Sequence, residues 1–174
     1  MFSKLNIMKI FLEEPNREFN VREVARILRI SPATVSKELK ALAKKGLLKL
    51  RKERIFHLYR ANTEDDYYKD FKVFYNIRKI KDSGLVDALN KYYLKPVIVL
   101  FGSASRGEDV KSSDIDLVVI SEKTDDFPML KKFQQKIRKK IQLFQVKNIK
   151  ELKNKHLVND VLNGIVLQGR LSWT

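Results

Sequence analysis

Cysteine is absent from the 174 residues, which excludes disulfides and thiolate-held metal. Histidine is nearly absent. His57 and His156 stand far apart with no metal-motif spacing, so each reads as a surface or packing residue. No apolar run approaches the roughly 18 residues that a bilayer span needs, and no signal-peptide pattern opens the chain. We therefore expect a cytoplasmic protein without a membrane contact. Acidic residues are few beside basic ones, 21 Asp/Glu against 36 Lys/Arg, a net charge of +15. Residues 1–60 hold 15 basic and 6 acidic side chains (+9), whereas the remaining 114 hold 21 and 15 (+6). The denser positive charge of the first third suits a polyanionic partner, although a solvated lysine-rich surface has the same composition. What is present is ordinary for a folded chain: 44% hydrophobic and 33% charged residues, with length for one or two domains.

In the first sixty residues, SKLNIMKIFLEE puts Leu5, Met8, Ile10, Phe11 and Leu12 near helical spacing, and Pro15-Asn16 stops the run. Asn20 is placed to cap a second helix, VREVARILRI, with Val21, Val24, Ala25 and Leu28 as its apolar stripe. A third helix follows within a few residues. Ser31 is its cap, Pro32 suits its first position, and Gly46 suits its end. Val35, Leu39 and Leu42 face inward, which leaves Ala33, Ser36, Lys37, Lys40 and Lys44 on the opposite face. Small residues at the helix start allow close approach to a groove, and the lysines reach phosphates. LLKLRKERIFHLYR then reads as two strands around a basic turn at Arg51, Lys52 and Arg54, a short wing without glycine. This order of elements, and the string SPATVSKELKALAKKGLL, resemble the winged helix-turn-helix of prokaryotic transcription regulators. The resemblance implies binding of double-stranded DNA through Ser36, Lys37, Lys40, Lys44, Arg51, Lys52 and Arg54.

A connector follows. TEDDYYKDFKVFYNIRKIKDSG predicts a helix capped by Thr63, with acids in its first turn. Its stripe of Tyr67, Tyr68, Phe71, Phe74, Tyr75 and Ile77 reads as core or a homodimer seam rather than a stacking surface for bases. Ser83-Gly84 separates it from a second helix, LVDALNKYY.

The most informative stretch is FGSASRGEDVKSSDIDLVV. A buried strand, VIVLF, runs into Gly102-Ser103, wanders through a polar loop, and restarts with Asp114 and Asp116 at the two-residue spacing that puts both on one face. Glycine lets main-chain amides approach a phosphate, and Ser103 adds a hydroxyl. Two carboxylates beside such a turn suit a Mg²⁺-bound triphosphate. Ten residues separate Ser103 from Asp114, giving GS-x10-D-x-D. That spacing between two strands is similar to the signature of the DNA polymerase beta-type nucleotidyltransferases, particularly the minimal nucleotidyltransferase group, over about residues 85–173.

The resemblance implies roles position by position. Gly102 and Ser103 would hold the phosphates of a nucleoside triphosphate, ATP in the first instance, with Arg106 orienting the loop. Asp114 and Asp116 would bind Mg²⁺. The family's third carboxylate sits on a later strand, here IQLFQV after a helix around Pro128–Lys140, and its position falls at Gln142. A glutamine can orient a hydroxyl but cannot take its proton. IQLFQV contains no acid in any register, so Glu122, Asp125 or Asp126 is the alternative source within the chain. The resemblance also implies a small helical HEPN-like protein as partner. We expect an α+β chain of two domains: a winged helix-turn-helix over 1–62, connecting helices over 63–94, and a small mixed-sheet nucleotidyltransferase-like α/β domain over 95–174.

Overall fold

The computed structural model describes residues 2–53 and 56–171, with side chains from residue 7 onward; among the residues named above, Arg54 and the side chain of Leu5 lie outside these. The chain divides into two units, Met1–Lys72 and Val73–Thr174, and the division falls inside a helix. Among the described residues no helix is long and apolar enough to cross a membrane.

The first unit contains α1 (Phe2–Glu13), β1 (Phe19–Asn20), α2 (Val21–Leu28), α3 (Pro32–Lys44), β2 (Leu48–Glu53) and β3 (Phe56–Ala61). Helix α1 buries Ile7, Met8, Phe11 and Leu12. Met8, Phe11 and Leu12 are thus buried as expected, whereas Ile10 is only half-buried and Ile7 takes its place in the inward stripe. Asn20 caps α2 by accepting the Glu23 amide at 2.9 Å, and Ser31 caps α3 by accepting that of Thr34 at 3.1 Å. Such caps satisfy amides that have no partner within the helix, each worth about 1 kcal/mol. Val35, Leu39 and Leu42 are buried on the inner face of α3. Each full burial contributes roughly 1.5–3 kcal/mol. Gly46 adopts φ +81 just beyond α3, a turn that favours a residue without a β-carbon. The strands form an antiparallel sheet in the order β1-β3-β2.

This hairpin corrects the expected wing. Leu48 to Glu53 pair one-to-one with Ala61 to Phe56, so Arg51 and Lys52 lie on strand β2 and not in the turn. The wing has six residues in each strand and is longer than expected, because Arg51 and Lys52 continue the pairing instead of breaking it.

Helix α4 (Asp66–Asp82) begins two residues later than a cap at Thr63 implies. Asp65 is its cap: Oδ1 accepts the Tyr68 amide at 3.0 Å. A carboxylate at this end also meets the positive pole of the helix, which favours it over a threonine hydroxyl. The aromatic residues of α4 point in several directions. Tyr68 is fully buried, whereas Tyr67 and Phe74 are about half-exposed.

The second unit continues with α5 (Leu85–Tyr92), β4 (Val97–Phe101), the one-turn helix α6 (Ser103–Arg106), β5 (Ile115–Ile120), α7 (Leu130–Ile137), β6 (Ile141–Val146), a 3-10 turn at Ile149–Glu151, α8 (Lys155–Leu162) and β7 (Ile165–Gln168). Its four-stranded sheet has the order β6-β5-β4-β7. Strand β5 runs parallel to β6, while β4 is antiparallel to both β5 and β7, a mixed sheet as expected. Both faces are covered. Ile98, Leu100, Leu117 and Val119 pack with Leu85, Leu89, Phe133 and Ile137 on one side. Val99, Phe101 and Val118 pack with Val146, Ile149 and Val161 on the other. Strand alternation puts Asp116 on the face of Val118.

Candidate functional site

Strand β4 ends at Phe101, whose partner across the antiparallel pair is Asp116. Gly102 then turns the chain sharply, at φ 69 and ψ −158, into α6. This conformation favours glycine, and the surroundings demand it. A β-carbon at Gly102 would lie 2.4 Å from Asp116 Oδ2 and 3.2 Å from its Cγ. The Asp116 carboxylate therefore rests directly on the glycine of the turn, and a one-turn helix begins at Ser103. Ser105 Oγ donates to the Gly102 carbonyl at 2.8 Å, and the Glu108 amide donates to that of Ser103 at 3.0 Å, fixing the turn from within.

Asp114 precedes β5, and its Oδ2 lies 3.3 Å from Lys140 Nζ. The parallel register explains this pair. Asp116 stands opposite Gln142, so two residues earlier Asp114 meets Lys140, just ahead of β6. The column that β6 presents beside the carboxylates is thus Lys140 and Gln142, an ammonium and an amide. Gln142, on strand β6 opposite Asp116, is exposed. Glu122, Asp125 and Asp126 follow the far end of β5 at Ile120, about 13 Å along the strand from Asp116 at 3.3 Å per residue, and do not reach the pair.

The sequence reading missed Asp160. It lies on α8, with Oδ1 3.7 Å from Arg106 Nη1, while Arg106 Nε donates to Glu108 at 2.9 Å. Nothing in the spacing of NDVLNG signals this, since the approach of α8 to α6 is a product of the fold. Burial raises the Asp116 carboxyl above its ordinary value, the Asp114 and Asp160 charges raise it further, and Arg106 opposes them. Among the described residues no group of three or more His, Cys, Asp or Glu is placed to hold a metal ion. Two carboxylates do fit Mg²⁺ that arrives on a triphosphate, because this ion takes one or two carboxylates and completes its octahedron with phosphate oxygens and water.

The raised Asp116 carboxyl sets a pH dependence. The unfolded chain ionises this group near its ordinary 3.8, below the folded protein. Between the two values the folded state binds more protons, so stability falls as pH rises through that window and the deficit persists above it. Asp116→Asn removes the deficit. Its melting temperature without ligand should exceed that of the unaltered protein at pH 7, with the gap closing as pH falls below 3.8. A lower melting temperature at pH 7 would contradict the assignment.

In the first unit Lys37, Lys40 and Lys44 are exposed on the outer face of α3, with Ser36 half-buried beside them. Lys52 is exposed on β2. Arg51 is engaged: Nε and Nη2 donate to both Glu18 oxygens at 3.0 and 2.6 Å, and Nη1 lies 2.8 Å from Glu53. Beside the start of α2, an open cleft of about 610 Å³ is lined by Arg22, Arg26, Phe56 and His57, none of which the sequence pattern marked as a site residue.

Comparison with known proteins supports both halves. Residues 82–167 match the family described as "Nucleotidyltransferase domain", and residues 3–49 match "Bacterial regulatory protein, arsR family". Among solved structures, the chain is similar to a possible transcriptional regulator from Methanosarcina mazei Go1, at 23% identity over 53% of this chain and 75% of that one, with a TM-score of 0.38. It is also similar to reduced HlyU from Vibrio cholerae N16961, at 19% identity over 53% of this chain and 83% of that one, with a TM-score of 0.34. No curated protein matches.

Proposed function

Because this chain fuses an arsR-family winged helix-turn-helix domain to a nucleotidyltransferase-like domain, we propose that it is a transcription regulator whose second domain binds a nucleoside triphosphate and has lost most of its transfer activity. One observation carries this reading: Asp116 lies on Gly102 as a nucleotide site needs, yet Gln142 stands opposite it where an acid would complete catalysis. In this proposal Gly102 and Ser103 meet the phosphates, and Arg106 sits at the rim. Asp114 and Asp116 would hold the Mg²⁺ that neutralises the polyphosphate. Lys140 shields Asp114 until that cation arrives. Gln142 orients a hydroxyl without removing its proton.

Calorimetry with ATP and Mg²⁺ tests the reading. We expect binding that Asp114→Ala removes, and no transferred nucleotide when labelled ATP is incubated with the protein. Absence of any heat with ATP, GTP, CTP or UTP would reduce the second domain to a structural role. A second reading, slow nucleotidyl transfer, is favoured by the adjacency of the two aspartates to the turn. Transfer of label that disappears on Asp114→Ala would select it.

For the first domain we propose that the outer face of α3 and the wing contact duplex DNA through Ser36, Lys37, Lys40, Lys44 and Lys52. Arg51 belongs to the same surface, and a phosphate there would compete with Glu18 for its guanidinium. Replacing Lys37 and Lys40 by alanine should weaken binding and reduce the slope of log K against log salt by about 1.8, at about 0.9 for each phosphate left without its lysine. An unchanged slope would show that these lysines do not face the duplex. The proposal extends to a homodimer and to a HEPN-like helical partner, as the family resemblance implies; light scattering and co-purification read these out.

A further inference from the structure

Helix α4 carries three polar side chains at four-residue intervals, Tyr68, Lys72 and Asn76, exposed by only 0%, 2% and 6%. Side chains at this spacing lie along one helix face, turn above turn. Each of the three donates to a main-chain carbonyl. The Tyr68 hydroxyl reaches Phe11 O at 3.1 Å, and the Lys72 ammonium reaches Leu12 O. Asn76 Nδ2 reaches Ala104 O at 3.0 Å and Asp109 Oδ1 at 2.6 Å. Asp109 is itself buried and is held from its other oxygen by Lys139 Nζ at 2.6 Å, which also donates to Val110 O at 2.8 Å.

These partners are not scattered. Phe11 and Leu12 belong to the buried end of α1, and α1 packs against α3. Ala104 is the residue after Ser103, inside the turn that the proposed nucleotide addresses, and Asp109 anchors the loop that follows. Buried donors of this kind keep their acceptors, because a donor left unpaired away from water is costly. A shift of the Ala104 carbonyl must therefore move Asn76 or break its bonds. Movement of Asn76 along α4 strains the bonds that Lys72 and Tyr68 make with α1.

We propose that α4 couples the two functions: occupancy of the Gly102–Ser103 turn is passed through Asn76, along the polar face of α4, to Lys72 and the end of α1, and so alters DNA affinity. This rests on the nucleotide-binding reading given above. Linkage requires the effect to be reciprocal, so DNA must change nucleotide affinity by the same factor.

The test uses the full chain, ATP with Mg²⁺, and a labelled mixed-sequence duplex at low salt, read by fluorescence anisotropy. Nucleotide should change the DNA dissociation constant by about fivefold or more, within the usual range of couplings. Lys72→Met keeps the packing and removes the donor; it should leave ATP affinity intact by calorimetry and bring the coupling factor close to one. Asn76→Leu should uncouple from the other end, and the double variant should be no worse than either single one, as residues in series require. Should Lys72→Met fail to melt cooperatively, Tyr68→Phe, which removes one hydroxyl, is expected to reduce the coupling instead. ATP that binds without altering DNA affinity overturns the inference and leaves the nucleotide site standing. A coupling factor unchanged in Lys72→Met overturns it as well. No ATP binding at all overturns the nucleotide reading and the inference with it.

Discussion

Gly102→Ala is expected to lower the affinity for ATP and Mg²⁺ by about 100-fold or more. Two effects combine. At φ 69 and ψ −158 the backbone occupies a region that an alanine enters only with strain of order 1–3 kcal/mol. The added carbon would also fall 2.4 Å from Asp116 Oδ2, a distance that no rotamer of an alanine relieves. Either the turn unwinds or the carboxylate swings away. Both separate the amides of the turn from the Asp114 and Asp116 oxygens, which the proposed nucleotide site needs together. A loss of 1.4 kcal/mol is tenfold in affinity, so about 3 kcal/mol of misplacement accounts for the expected change. Calorimetry at constant pH reads it, and the thermal melt shows whether the second unit stays folded. Affinity within threefold of the unaltered protein would mean that the nucleotide does not use this turn.

Gln142→Glu is the opposite kind of change, one expected to raise turnover at the proposed nucleotide site. Glutamate is the same size as glutamine, and the parallel register holds position 142 opposite Asp116 on an exposed edge strand, so the new carboxylate enters without repacking. With a base in place, water can attack the α-phosphorus of ATP: its proton passes to the introduced carboxylate, the bond to the β-phosphate oxygen breaks, and pyrophosphate leaves with AMP as the other product. A positioned base contributes typically 10²–10⁴-fold, and pyrophosphate release should rise by about that factor over the unaltered protein. Lys140 lies in the same column and is the element that would blunt the gain by pairing with the new acid. A release rate unchanged by the substitution, with ATP binding intact, would show that the missing carboxylate is not what limits the site. Activity already high in the unaltered protein would select the transfer reading.

The caps of α2 and α3 and the inward stripe of α3 are set by neighbours within a few residues, and they stand in the structure where the periodicity put them. The same holds for the pair of strands flanking Gly102-Ser103 and for Gln142 on the later strand: alternation is a two-residue property of the chain. Errors begin where two local signals compete. Thr63 and Asp65 both qualify as caps, and the helix takes the charged one. Arg51 and Lys52 qualify equally as turn and as strand, and the pairing of Leu48 with Ala61 fixes the register that decides for strand.

Residue types and short-range spacing were thus enough to determine a basic helix-turn-helix followed by a two-strand turn with paired carboxylates, because those depend on chemistry inside one or two turns of chain. Tertiary structure alone decided what surrounds them: that Lys140 meets Asp114, that Asp160 from α8 charges the site, that Glu18 occupies Arg51, and that Asn76 on α4 holds the carbonyl of Ala104. Each joins residues some 26 to 44 positions apart, and the loops between them leave no periodicity to read; the pairing exists only once burial has fixed which faces meet.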